Sequence, residues 1–152
     1  MLLAVVVFHS LVAKPFYIPS ASMLPDLYVG DHLVVSKYPY GWNWASASFH
    51  ILPRSETRIL PKVPEYGDVV IVVPRGRPGE DYIKRVIGLP GDTVSYQNKQ
   101  LSINGVPVPR SSEADYLHAD RMYYSKQYQE TLNGITYNTL NDADAPAFVP
   151  DV

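Results

Sequence analysis

The sequence predicts a mainly β fold of antiparallel sheets, with a smaller β subdomain at its C-terminal side and the end of a transmembrane helix at its start. Three features of its 152 residues carry that expectation. After Pro15 the apolar stretches are short, rich in Val, Ile and Tyr, and broken by Gly, Pro and Asn, which is how strands and their turns read. Two Asn-Gly pairs, Asn104-Gly105 and Asn133-Gly134, sit between such runs, and Asn-Gly supports the left-handed dihedrals of a tight hairpin. The first thirteen residues, by contrast, are apolar apart from His9 and Ser10, and no long helical period follows them.

Residues 1–14 end at Lys14-Pro15, where a helix would stop, and read as a partial transmembrane anchor. Thirteen helical residues reach roughly 20 Å, whereas the hydrocarbon core of a bilayer is about 30 Å thick, so this segment is too short to span alone. A core helix or strand is one rival reading. A signal sequence is another, although it would lack a basic n-region and would carry Lys14-Pro15 beside its cleavage site.

Residues 15–105 form the expected core domain, with strands at Phe16 to Ile18, Leu33 to Ser36, Asp68 to Val73, Tyr82 to Ile87, Thr93 to Tyr96 and Gln100 to Ile103. The aromatic and proline-containing stretch from Pro39 to Pro64 lacks periodicity and reads as a long surface loop or insertion. Residues 106–152 comprise the smaller β subdomain, polar and tyrosine-rich from Val106 to Asp142, and a tail with three Asp, two Pro and no partner strand in view.

Charge and composition remove whole classes of function. Thirteen Lys and Arg against fifteen Asp and Glu leave a net charge of -2, so the basic field that nucleic-acid binding needs is lacking. Cysteine is absent, which excludes disulfides, thiol catalysis and cysteine-ligated metal. The four histidines, His9, His32, His50 and His118, have neither the company of a catalytic triad nor the spacing of a metal site. Neither a metal nor a cofactor is expected.

Two short segments could carry chemistry. Ser20 and Ser22 lie in Ile18-Pro19-Ser20-Ala21-Ser22-Met23-Leu24-Pro25, and residues two apart in an extended chain face the same way, roughly 6 to 7 Å from each other. A nucleophile beside a second hydroxyl donor is one reading, and a turn capped by hydroxyls is the plain alternative. Lys84 sits in Asp81-Tyr82-Ile83-Lys84-Arg85-Val86-Ile87. Strand alternation puts Tyr82, Lys84 and Val86 on one face and Ile83, Arg85 and Ile87 on the other, and both faces are largely apolar. One of the two adjacent cations is therefore expected to be wrapped in apolar surface. If it is Lys84, desolvation disfavours its ammonium form and suits it to act as a general base. The alternative is an edge-strand lysine left in solvent.

Taken in order, the motifs closely resemble those of bacterial type I signal peptidases, or leader peptidases, the membrane-bound serine/lysine peptidases of family S26. The resemblance runs through residues 15–25 (Pro15 to Pro25), Gly30-Asp31-His32-Leu33-Val34-Val35, Gly67-Asp68-Val69-Val70 and residues 81–92 (Asp81 to Asp92). It implies a signal-peptidase-like catalytic core with Ser22 as nucleophile and Lys84 as its base in place of a histidine. The Ser20 hydroxyl and the Ser22 backbone N–H would hold the oxyanion. Phe16, Ile18, Pro19, Leu27, Tyr82 and Ile83 match positions that line shallow pockets for small residues, usually alanine, at the first and third positions before the cut.

The partners implied are preprotein signal peptides and the lipid bilayer, and the place implied is the bacterial inner membrane with the catalytic domain on its periplasmic, extracytoplasmic face. A related serine/lysine peptidase that processes pilin or conjugation proteins stays open as an alternative, as does a non-catalytic β-rich membrane-tethered fragment. Two departures from the family pattern stand out. Asp26 replaces the usual threonine after the proline, a change with no clear catalytic cost. The family's last motif, Gly-Asp-Asn-Arg-Asp followed by a Ser, an Asp and an Arg, has no counterpart before Val152. The expectation is therefore of a truncated representative with an incomplete core, whose own activity is left open.

Overall fold

The computed structural model describes residues 12–42, 59–74, 76–77 and 80–141, and they fall into two compact units. The first comprises residues 1–20, 29–64 and 71–83; the second comprises 21–28, 65–70 and 84–152. Among the described residues there are eleven strands in antiparallel sheets and no helix. The mainly β expectation holds. Residues 1–11, His9 and His50, the middle of the Pro39 to Pro64 stretch and the tail from Asp142 lie outside the described residues. At its end the proposed anchor is corrected, because Ala13 and Lys14 belong to a strand rather than to a helix.

In the first unit that strand, β1 (Ala13–Tyr17), pairs antiparallel with β2 (His32–Ser36), from Ala13 opposite Ser36 to Tyr17 opposite His32. The ladder continues at both ends, as Lys37 N donates to Val12 O at 2.9 Å and Ile18 N donates to Asp31 O at 3.0 Å. This backbone pairing is what carries Ala13 and Lys14 into the sheet. Ile18 is the anchor of this end, with only 1% of its surface exposed. The Pro39 to Pro64 stretch is not loop throughout, since Trp42 and Ile59 exchange backbone hydrogen bonds of 3.1 and 2.8 Å. β3 (Val69–Val72) and β4 (Tyr82–Arg85) pair as a two-stranded sheet.

The second unit holds the main core. β5 (Val94–Gln97), β6 (Gln100–Ile103) and β7 (Val106–Pro107) form a meander. β10 (Tyr123–Leu132) pairs along one edge with β11 (Ile135–Asn141), and along the other with β9 (Tyr116–His118) and then β8 (Arg110–Ser112). Both Asn-Gly pairs make the expected turns, with φ of 52° and 78° at Asn104-Gly105 and 50° and 82° at Asn133-Gly134. A third turn of the same kind, at Asn98-Lys99 with φ of 50° and 61°, was not anticipated. Alternation along β6 turns Leu101 and Ile103 inward, where they meet Val108, Leu132 and Tyr137, with Tyr66, Ile87 and Val94 packed alongside. This core runs from both sides of residue 105.

Asp92 ties the loop after β4 to that core. Its carboxylate accepts from Tyr66 Oη at 2.5 Å, Leu89 N at 2.7 Å and Asn104 Nδ2 at 2.9 Å, the last from the β6–β7 turn. These donors, the Tyr66 hydroxyl first, hold the carboxyl below the usual carboxylate range. A carboxyl lowered in the folded state stabilises it fully above the unfolded group's range and ceases to as pH falls through the folded value. Stability is therefore expected to hold above about pH 5 and to decline below about pH 4. Asp92→Asn should lower stability at pH 7 and flatten that acid dependence, as read by denaturant unfolding at a series of pH values. Equal slopes in the two proteins would remove the role.

Candidate functional site

Ser22 sits in the second unit, on a tight turn over residues 22–26, where Leu24 N donates to Ala21 O at 3.1 Å and Leu27 N to Met23 O at 3.0 Å. The turn has one buried anchor, Met23, at 8% exposure, while Ser22 beside it faces out. Burial of the neighbour fixes the backbone, so the hydroxyl is presented without itself being packed. Lys84, on β4, reaches that hydroxyl from sixty-two residues away, with Nζ 2.6 Å from Ser22 Oγ. That is hydrogen-bond distance, within reach of direct proton exchange.

Lys84 is exposed, so the shelter envisaged for it from the sequence is corrected. The cation wrapped by protein is its neighbour, Arg85. The Arg85 side chain is 16% exposed, and its Nη2 donates to Asp26 Oδ2 at 2.5 Å, with the Asp26 side chain 25% exposed. Nη1 donates to the Gly67 carbonyl at 3.0 Å, and the guanidinium lies over the Tyr137 ring at 4.7 Å. A planar fork with several donors and a face that stacks can be satisfied in such a place, whereas a compact ammonium cannot fill all three roles. Gly67, which supplies that carbonyl, is left-handed at φ 84°, and a Cβ there would meet Ile135 Cγ2 at 2.8 Å. Its N–H and the Asp68 carbonyl bracket Val86, each at 2.8 Å, which registers this turn on the end of β4.

Tyr137 closes the group from β11. Its hydroxyl is buried beside Glu130, its register partner on β10, and burial first, then that carboxylate, push the hydroxyl's pKa far above the ordinary tyrosine range. Asn138, the next residue, donates from Nδ2 to Asp26 Oδ1 at 3.4 Å. Asp26, Asn138, Gly67 and Tyr137 were not picked out as site residues from the sequence. The signal for Asp26 was its departure from the family pattern, and the signal for Arg85 was the argument that one of two neighbouring cations had to be wrapped.

A family model described as "Signal peptidase, peptidase S26" matches residues 1–150. The chain belongs to the S26 signal peptidase family. Among curated relatives, signal peptidase I of Rickettsia typhi is 35% identical over 133 residues, covering 86% of this chain and 50% of that protein. Signal peptidase I of Rickettsia prowazekii is 32% identical over 146 residues, covering 95% of this chain and 55% of its own length. That of Pseudomonas aeruginosa is 43% identical over 106 residues, covering 68% of this chain and 34% of its own. This S26 member thus spans about half the length of the Rickettsia relatives and about a third of the Pseudomonas one. The family that four short motifs resembled is the chain's own.

The remaining residues singled out in this family member fall in both units. Leu27 is half-buried on the Ser22 turn, in the second unit. Phe16, Ile18, Pro19 and Ser20 belong to the first unit, with Ile18 in its interior and Pro19 and Ser20 exposed. Tyr82 and Ile83 are half-buried on β4 in the first unit, and the Tyr82 hydroxyl accepts from Arg77 Nη1 and donates to Glu80 Oε2, each at 3.1 Å.

His32 opens β2 and pairs with Tyr17, ring centroids 5.5 Å apart. His118 lies on strand β9, where it stacks on Tyr123 at 4.1 Å and lies 2.8 Å from Ser125 Oγ. Ser125 is 1% exposed, which makes this serine–histidine contact a piece of packing and not an accessible nucleophile. Among the described residues no cluster of His, Asp or Glu could hold a metal, and no helix is long and apolar enough to cross a membrane.

Proposed function

We propose that this chain is the catalytic part of a membrane-bound endopeptidase that removes N-terminal signal peptides from exported preproteins, cutting after small residues of the Ala-X-Ala type. Ser22 is the nucleophile and Lys84 its base. The observation that carries the reading is the 2.6 Å contact between Lys84 Nζ and Ser22 Oγ, on a chain whose family is S26.

The chemistry follows from those two atoms. In this step, which requires the Lys84 amine in its unprotonated form, Nζ takes the Ser22 proton as Oγ bonds the scissile carbonyl carbon. The tetrahedral intermediate then expels the new N-terminus, which leaves with the proton that the lysine returns. An acyl-serine remains, and water activated by the same amine releases it. The Ser22 backbone N–H steadies the oxyanion, and Ser20, two residues earlier, is the second donor that the sequence motif implies. Phe16, Ile18, Pro19, Leu27, Tyr82 and Ile83 are proposed, on the same motifs, to admit only small side chains. The curated relatives' name, signal peptidase I, supports the substrate class, and the apolar first residues support the membrane setting. The family resemblance of the same motifs supports the proposal that the catalytic domain lies on the extracytoplasmic face of the inner membrane.

The test uses the full-length protein in detergent or vesicles with a preprotein bearing an Ala-X-Ala site, and mass spectrometry of the products. Cleavage is expected directly after the second alanine, and replacing that alanine by leucine should slow it by at least about 100-fold. Cleavage at an unrelated position, or indifference to the leucine, would overturn the substrate assignment.

A further inference from the structure

The turn that carries Ser22 is joined to β4 twice. Ser22 meets Lys84, and four residues on, Asp26 meets Arg85, the next residue of the strand. The two joints differ in strength. Ser22 and Lys84 are both exposed, and a lysine on four rotatable bonds in water holds a geometry weakly. Asp26 and Arg85 have side chains 25% and 16% exposed and a 2.5 Å contact, with the guanidinium otherwise fixed on Gly67 O and the Tyr137 ring. The other carboxylate oxygen takes Asn138 Nδ2 at 3.4 Å.

We propose that Asp26, acting through Arg85, is a positioning residue that sets Ser22 Oγ against Lys84 Nζ. The proposal rests on the serine/lysine reading above. Between Ser22 and Asp26 the backbone is closed by the Leu24 N to Ala21 O and Leu27 N to Met23 O bonds, so a shift at Asp26 passes to Ser22 with little slack. Remove the carboxylate, and the turn loses its ion pair with β4, which leaves the exposed Ser22–Lys84 hydrogen bond to carry more of that joint. A reacting atom misplaced by about 1 Å can slow such chemistry by about 100-fold. The threonine usual at this place in the family carries no charge with which to pair the arginine.

The experiment measures kcat and KM separately for peptide cleavage by full-length Asp26→Ala, Asp26→Asn and Asp26→Glu, with Ser22→Ala as control and thermal unfolding of each. The alanine and asparagine variants should lose kcat by about 10- to 100-fold with KM within about threefold, and Asp26→Glu, which keeps the charge, should recover most of it. If Asp26→Ala does not fold, Asp26→Asn retains the shape and carries the comparison with Asp26→Glu. Unchanged kcat in the alanine and asparagine variants overturns the role, as does a glutamate variant no better than asparagine. Wild-type turnover in Ser22→Ala would instead remove the serine/lysine reading. An inactive Ser22→Ala beside fully active Asp26 variants would remove the positioning role alone.

Discussion

Ser22→Ala in the full-length protein should lower kcat for preprotein cleavage by at least about 10⁴-fold, because on the proposed mechanism it deletes the covalent nucleophile and leaves only binding and oxyanion stabilisation. The fold should be indifferent to the change. Ser22 is exposed and contributes no core packing, while the turn around it is anchored by buried Met23 and by the Asp26–Arg85 pair. The check is a pair of measurements on one preparation, turnover of a preprotein and thermal unfolding. Turnover within tenfold of wild type would take the serine out of the mechanism. A large loss of stability alongside the loss of activity would mean that the hydroxyl has a structural duty.

Much of this arrangement could be read from the residues, for reasons that differ by element. The strands from β2 to β6 were legible because Val, Ile and Tyr runs end at Gly, Pro or Asn, and the Asn-Gly turns supply the left-handed dihedrals that a two-residue hairpin demands, whereas β1 was read only at Phe16 and Tyr17 because Lys14-Pro15 looked like a helix end. The Asn98-Lys99 turn reaches the same dihedrals without a glycine. Asparagine tolerates that region, but lysine gives no hint of it. The strands after residue 107 were legible only as a β-rich region, because β10 buries Ser125 and Glu130 while exposing Tyr124. Its inward residues also shift from odd to even positions between Ser125 and Glu130, where its partner changes from β9 to β8. Binary patterning cannot anticipate a polar residue turned inward or a change of phase at mid-strand.

At the site, motif order pointed to Ser22 and Lys84, but the choice between two adjacent cations could not be made from alternation on a strand apolar on both faces. The environment decided it. One face of β4 offers a carboxylate, a carbonyl and an aromatic ring, and that set suits a guanidinium. The consequence is that Arg85 serves as the structural cation, which leaves Lys84 the one directed at the hydroxyl.

That division of labour makes Lys84 the sharper test. Lys84→Met preserves the length of the side chain and removes the amine, and kcat should again fall by about 10⁴-fold or more. Lys84→Arg separates two explanations of such a loss. A lysine that merely donates a hydrogen bond to Ser22 Oγ, or supplies positive charge beside it, could be replaced in part by arginine. A lysine that must accept the serine proton could not, since a guanidinium stays charged throughout the accessible pH range. Lys84→Arg is therefore expected to be as inactive as Lys84→Met, and Ser22→Ala/Lys84→Met to be no worse than either single change, because the two groups act as one unit. Turnover in Lys84→Arg above about a tenth of wild type would leave the amine a donor and hand the role of base to another group.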